Sequence, residues 1–145
     1  MVKAAFGRED EARLVGVLNK AGDSIVSLVA VEEGIIVGHV LLSQMAAPFP
    51  ALGLAPLSVR PDCQGRSLGS ALVRAAVAQA LAVGARAVFV LGDPDFYGRF
   101  GFGTPQARGF ASPYAGPHLM VLPVGGSLPV PTGRIEYAPA FAELD

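Results

Sequence analysis

The chain has 145 residues and a mass of 14.9 kDa, a size that fits one globular domain of residues 1–145 and leaves little room for a second. Hydrophobic residues make up 52% and charged residues 16%, with a mean hydropathy of +0.48, enough apolar surface to offset chain entropy and exclude intrinsic disorder. Eleven basic against twelve acidic residues give a formal charge of -1, too balanced for a protein that holds nucleic acid or an anionic membrane by counterion release. Residues 34–59 carry no Asp, Glu, Lys or Arg, but His39, Ser43 and Gln44 interrupt the stretch. Pro48, Pro50 and Pro56 then break the apolar helix of about 20 residues that a bilayer span needs. Cys63 is the only cysteine, so neither an intramolecular disulfide nor a zinc-finger cluster can form, and no metal is expected. The first ten residues carry charge and lack the apolar core of a secretory signal, so the expected location is the cytoplasm.

Arg8 to Lys20 begins acidic and ends basic, which complements a helix dipole, and Gly22 stands just beyond as a stop. Ser24 to Val31 and Ile35 to Gln44 are rich in β-branched and aliphatic residues and flank Glu32-Glu33-Gly34, so they predict a β-hairpin with Glu32 and Glu33 as solvated loop charges. Leu52 to Val59 reads as a third strand. Pro56 cannot donate to a ladder, so that strand requires an edge position or a bulge there. From Leu68 to Val83 the spacing is helical, with Leu68, Leu72, Ala76 and Val83 on one stripe, Val73, Val77 and Leu81 beside it, and Gly84 as terminator.

Arg86 to Leu91 is a short, almost wholly apolar strand of the kind covered on both faces, and strand, helix, strand implies a parallel crossover. Asp93 and Pro94 have the character of an N-cap and first helical position, opening a short helix through Tyr97 and Arg99. Beyond Gly103, His118 to Pro123 and Arg134 to Tyr137 are strand-like segments among Pro- and Gly-rich loops. The expected class is α/β or α+β with a mixed sheet.

Chemistry concentrates between Leu57 and Ser70, where a strand runs into the N-terminus of the longest helix. First-turn N-H groups lack intrahelical acceptors and sit at the positive end of the dipole, while Gly65 and Gly69 permit close approach of an anion. No Gly-Lys-Ser/Thr ending and no G-x-G-x-x-G is present, so the turn is not one of the familiar nucleotide loops. By itself it fits either a phosphate cradle or a tight structural turn.

Val59-Arg60-Pro61 followed by Gln64-Gly65-Arg66-Ser67-Leu68-Gly69 resembles the Q/R-x-x-G-x-G/A acetyl-CoA signature of the GNAT superfamily of N-acetyltransferases. Phe96-Tyr97-Gly98-Arg99-Phe100-Gly101-Phe102 resembles that family's F-Y-x-x-x-G-F element, one helix and one strand further on. Together with Val90-Leu91-Gly92-Asp93-Pro94, these residues resemble the bacterial YhbS-related group, most strongly over residues 24–104.

The resemblance implies the GNAT fold: a mixed central sheet flanked by helices, with splayed fourth and fifth strands and pantetheine in the gap between them. It implies that Leu57, Ser58 and Val59 present backbone groups to pantetheine, with a backbone N-H near Val59 polarising the thioester carbonyl. Gln64, Gly65, Arg66, Ser67, Leu68, Gly69 and Ser70 would cradle the pyrophosphate, with Arg99 reaching a phosphate or lying in solvent. Tyr97 would be the general acid that protonates the departing thiolate. The implied reaction is acetyl transfer from acetyl-CoA, as cosubstrate, to a primary amine by direct attack. The acceptor would be a small molecule or a peptide, and the protein a monomer or homodimer.

Two departures stand out. Ser67 occupies the signature's first glycine, and the chain reaches its first predicted helix at Arg8, so the family's initial strand is expected either to be missing or to begin upstream of this sequence. Both leave open an alternative, a catalytically weak acetyl-CoA-binding regulatory or interaction module. His39 alternates with Val37 and Leu41 on one strand face and reads as a core histidine ahead of a base. Asp93 reads as a cap ahead of a base, and Cys63, at the start of the turn, is permissive for nucleophilic chemistry without being marked for it.

Overall fold

The computed structural model describes residues 24–63 and 68–137. The predicted helix over 8–20, any strand before it, and Gln64, Gly65, Arg66 and Ser67 lie outside the described residues.

The described residues open with β1 (Ser24–Glu32) and β2 (Ile35–Gln44), paired antiparallel with Glu32 opposite Ile35. Glu33 and Gly34 both have positive φ, 50° and 80°, the backbone of a two-residue turn whose twist matches that of the strands it joins. β3 (Ala51–Val59) pairs antiparallel with β2, and its register slips between the Val40–Leu57 and Leu42–Leu54 pairs. That slip brackets Ala55 and Pro56, so the proline falls in the irregularity its missing N-H demanded.

A 3-10 turn (Pro61–Cys63) leaves β3, and α1 (Leu68–Ala82) leads to β4 (Ala87–Leu91), parallel to β3. α1 ends where Gly84 adopts φ 87° and the Ala85 N-H donates back to the Ala80 carbonyl at 3.0 Å. Its buried residues are Leu72, Val73, Ala76 and Ala80. The expected stripe therefore holds at Leu72 and Ala76 but turns to Ala80 at its end, leaving Leu81 and Val83 more than half exposed, at 58% and 54%. Beyond Ala76 the helix runs less than two further turns, to Ala82, and Ala80 is the residue there that is buried against the sheet.

After β4 come α2 (Pro94–Tyr97), a 3-10 turn (Gly98–Phe100), α3 (Thr104–Ala107), β5 (Phe110–Ala111), β6 (Leu119–Pro123) and β7 (Gly133–Arg134). β6 pairs antiparallel with β4, so that the described residues form a five-stranded mixed sheet of order β1-β2-β3-β4-β6. The strand expected over Arg134 to Tyr137 is shorter than its sequence pattern: β7 pairs with β5 through two residues, and Glu136 then bridges to Ala46. The architecture is the mixed α+β sheet that the sequence indicated.

The sheet divides the core in two. On one face α1 packs Leu72, Val73, Ala76 and Ala80 onto Val40, Leu42, Leu52, Leu54, Val88 and Val90. On the other, Phe89, Phe110, Ile135, Met45 and Phe49 form a second cluster. Phe110 meets Phe49 and Phe89 edge to face at 5.8 and 5.4 Å between centroids. β4 is buried by both layers from Ala87 to Val90, which accounts for its uninterrupted apolar sequence.

Candidate active site

β3 and β4 are held together over three rungs only: Ala51–Ala87, Leu52–Val88 and Gly53–Phe89. Past Gly53 and Phe89 their ladder stops although both strands continue, β3 as far as Val59 and β4 as far as Leu91. The two diverging ends border a gap, and the elements that follow them, α1 and α2, stand at its mouth.

Backbone hydrogen bonding fixes which groups of β3 face this gap. The Arg60 N-H donates to the Val37 carbonyl at 2.7 Å, and the Ser58 carbonyl lies 3.2 Å from where a Cβ on Gly38 would stand, so Ser58 and Arg60 direct their backbone toward β2. Successive residues of an extended strand point their polar groups to opposite sides. Leu57 and Val59 therefore turn theirs toward the β4 side. Of the three residues expected to offer backbone there, Ser58 is the one that turns away.

At the mouth, the start of α1 meets α2. A Cβ added at Gly69 would stand 3.7 Å from Phe96 Cζ and 3.8 Å from Val59 Cγ2, so the helix N-terminus, the end of β3 and the α2 aromatic ring meet around this glycine. The first turn of α1 contains no acidic residue, which keeps the positive end of the dipole uncompensated by the chain itself. Arg99 is exposed, with Cζ 4.8 Å from the Phe96 ring centroid, a cation-π contact that holds the guanidinium beside the same aromatic. These are features that suit a polyphosphate: a first helical turn without carboxylates, a glycine that lets an anion approach the backbone, and a cation nearby.

α2 is set in place by its cap. Asp93 Oδ1 accepts a hydrogen bond from the Asp95 N-H at 2.9 Å, and Pro94 occupies the first turn, where an N-H would have no intrahelical acceptor. Asp93 is thus the N-cap that the sequence suggested. The Tyr97 ring lies edge to face with Phe96 (4.9 Å) and Phe102 (5.7 Å). Burial raises the Tyr97 phenol from its ordinary 10.0 to about 12. A phenol in that state is protonated at neutral pH and can donate to a developing anion.

The other sequence candidates resolve as follows. His39 is buried, 2% exposed, with Nε2 2.9 Å from Ser27 Oγ, and burial pushes its pKa down, which makes it the neutral core histidine the sequence favoured. Leu68 and Ser70 lie in the first turn of α1 with Gly69. Among the described residues, no three His, Cys, Asp or Glu side chains group as a metal site, and no helix is long and apolar enough to cross a membrane.

Two features went unread in the sequence. Gly92, just past β4, accepts a bond from His118 Nδ1 at its carbonyl (3.2 Å) and donates its N-H to the His118 carbonyl (3.1 Å), tying the root of α2 to β6. Tyr137 packs its ring on Gly53, the last rung of β3 before the gap. Glycines in strand settings are a signal of close approach, but the sequence does not say what approaches.

A mixed sheet with one prematurely ended parallel pair, a helix N-terminus at its mouth and a protonated tyrosine beside it is the arrangement that the GNAT resemblance implied. The model of the Acetyltransferase (GNAT) family matches residues 4–102, and the chain belongs to that family. Among curated proteins it is 38% identical over 120 residues to the uncharacterized N-acetyltransferase YjhQ of Escherichia coli K12, covering 76% of this chain and 65% of that protein. It is 35% identical over 106 residues to the uncharacterized N-acetyltransferase YhbS of the same strain, covering 70% and 64%. The alignments therefore span slightly less than two thirds of either relative.

Among solved structures, YhbS from Escherichia coli in complex with CoA superposes with a TM-score of 0.87 at 29% identity, covering 97% of this chain and 82% of that one. A GNAT family acetyltransferase from Brucella melitensis in complex with acetyl-CoA superposes with a TM-score of 0.79 at 32% identity, covering 96% and 86%.

Proposed function

We propose that the chain is a single acetyltransferase domain that binds acetyl-CoA in the gap between β3 and β4 and transfers the acetyl group to a primary amine. The observation that carries this reading is the ladder that ends at Gly53 and Phe89 while both strands run on, with Gly69 and Tyr97 at its mouth. The complexes of similar proteins with CoA and acetyl-CoA support the choice of ligand.

The residues fit it part by part. Gly69, Ser70 and the first turn of α1, together with Gln64 to Ser67, hold the pyrophosphate by backbone N-H groups, and Arg99 adds a cation from the side. Leu57 and Val59 present backbone groups to pantetheine on the side of β3 away from β2. The Val59 N-H acts as the donor that polarises the thioester carbonyl as negative charge develops on its oxygen. When the acceptor nitrogen has bonded to the carbonyl carbon and the C-S bond breaks, Tyr97 gives its proton to the departing thiolate. The amine gives up its proton to water. His39 takes no part, because it is buried and bonded to Ser27.

The acceptor is a small molecule or peptide bearing a primary amine, and the setting is cytoplasmic. Incubation with acetyl-CoA and a panel of amines, followed by mass spectrometry for the gain of one acetyl group and by release of free thiol, tests the reading. Thiol release that depends on one amine supports it, whereas saturable binding without turnover of any amine favours a CoA-binding regulatory module.

A further inference from the structure

The closed end of the gap is the place where an acyl group would stop, because a linear thioester held by its phosphates at Gly69 must send its far end toward the last rung of the ladder. That rung is Gly53 opposite Phe89. A Cβ on Gly53 would stand 2.6 Å from Tyr137 Cε1 and 2.7 Å from Cδ1, so the Tyr137 ring lies directly on the strand backbone. The ring is brought there by Glu136, which exchanges both backbone hydrogen bonds with Ala46 at 2.9 Å. It is held on a second side by Tyr114, edge to face at 5.7 Å. Met45 Sδ lies 3.2 Å from the same Gly53 position.

Resting on the acetyl-CoA reading above, we propose that Tyr137 is a specificity-determining residue that forms the back wall of the acyl pocket and restricts the transferred group to acetyl. Its hydroxyl is buried, and burial together with the Tyr114 and Tyr97 phenols pushes its ionisation up. Seated on Gly53, which has no side chain to yield, and flanked by Tyr114, the ring occupies the space over that strand position, so a longer chain directed at the last rung would have to displace it.

Calorimetric titration with CoA, acetyl-CoA, propionyl-CoA and butyryl-CoA tests this without an acceptor. The parent is expected to bind CoA and acetyl-CoA within about threefold of each other and butyryl-CoA at least about tenfold more weakly, the discrimination typical of one or two methylenes against a filled pocket. In Tyr137→Leu the CoA affinity is expected to stay and the butyryl penalty to fall below about threefold. A parent without the butyryl penalty, or a Tyr137→Leu variant that keeps both CoA affinity and penalty, overturns the proposal. Tyr137→Phe keeps the ring on Gly53 and removes only the oxygen, so it guards against a Leu variant that does not fold. It is expected to keep both the CoA affinity and the butyryl penalty of the parent, and loss of that penalty with CoA affinity retained overturns the proposal. A parent that does not bind CoA itself overturns the acetyl-CoA reading and the back wall together.

Discussion

The ring of Tyr97 rests on the backbone of Gly92: a Cβ there would come 2.5 Å from Tyr97 Cε2 and 3.1 Å from Cδ2. The phenol is therefore aimed by a glycine as much as by its own helix. Gly92→Ala should leave CoA affinity close to that of the parent, since Gly69 and α1 are untouched. It should lower kcat about tenfold to a hundredfold by displacing the acid. Steady-state kinetics with an identified amine, beside CoA titration of the same variant, checks both halves.

Tyr97→Phe removes the hydroxyl and keeps the ring contacts with Phe96 and Phe102. The expected result is a loss in kcat of about 10- to 1000-fold with folding and CoA affinity preserved. Full turnover by this variant would assign thiolate protonation to water.

Burial of Tyr97 also has a sign in pH. Its folded value of about 12 lies above the ordinary 10.0, so the folded chain holds this proton more tightly than the unfolded chain does. The associated stability is fully present below pH 10 and is lost as pH rises toward 12. Chemical denaturation followed between these limits should show a steeper fall for the parent than for Tyr97→Phe, and equal slopes would contradict the assignment.

His39 behaves in the opposite sense. Burial lowers its folded pKa from 6.5, so its contribution to stability is complete above that value and is lost as pH falls through the lower folded value. His39→Gln should flatten the acid side of the stability profile. Its effect on kcat under conditions where it remains folded should be no more than about threefold, since a group removed from proton transfer forfeits no general-base contribution.

These expectations divide along a line that the chain itself explains. The hairpin, α1, β4 and the Asp93 cap were legible because each depends on neighbours a few residues away: Glu33-Gly34 for the turn, Gly84 for the helix stop, Asp93-Pro94 for the start of α2. Pro56 announced an irregular β3 for the same reason. The family motifs at 64–69 and 96–102 are likewise local.

Tyr137 was legible only as the end of a short strand. Its seat on Gly53 is created by the Ala46–Glu136 bridge, a pairing between distant segments that no periodicity encodes. The turning away of Ser58 was hidden as well, because which backbone groups face the gap depends on the register of β3 against β2.

Gly69 carries the central claim, because it separates anion binding from packing. The space around it accepts a Cβ at ordinary contact distance, 3.7 Å from Phe96 and 3.8 Å from Val59, so Gly69→Asp should fold, while its carboxylate would stand where a pyrophosphate has to lie. The decisive measurement is calorimetric titration of acetyl-CoA into the parent and into Gly69→Asp, with thermal unfolding of both as a check on folding. Saturable binding by the parent, stabilising it by mass action and abolished in the variant, is the predicted result. Equal affinity in the two proteins, or no binding by the parent, would contradict the placement of acetyl-CoA in the gap between β3 and β4.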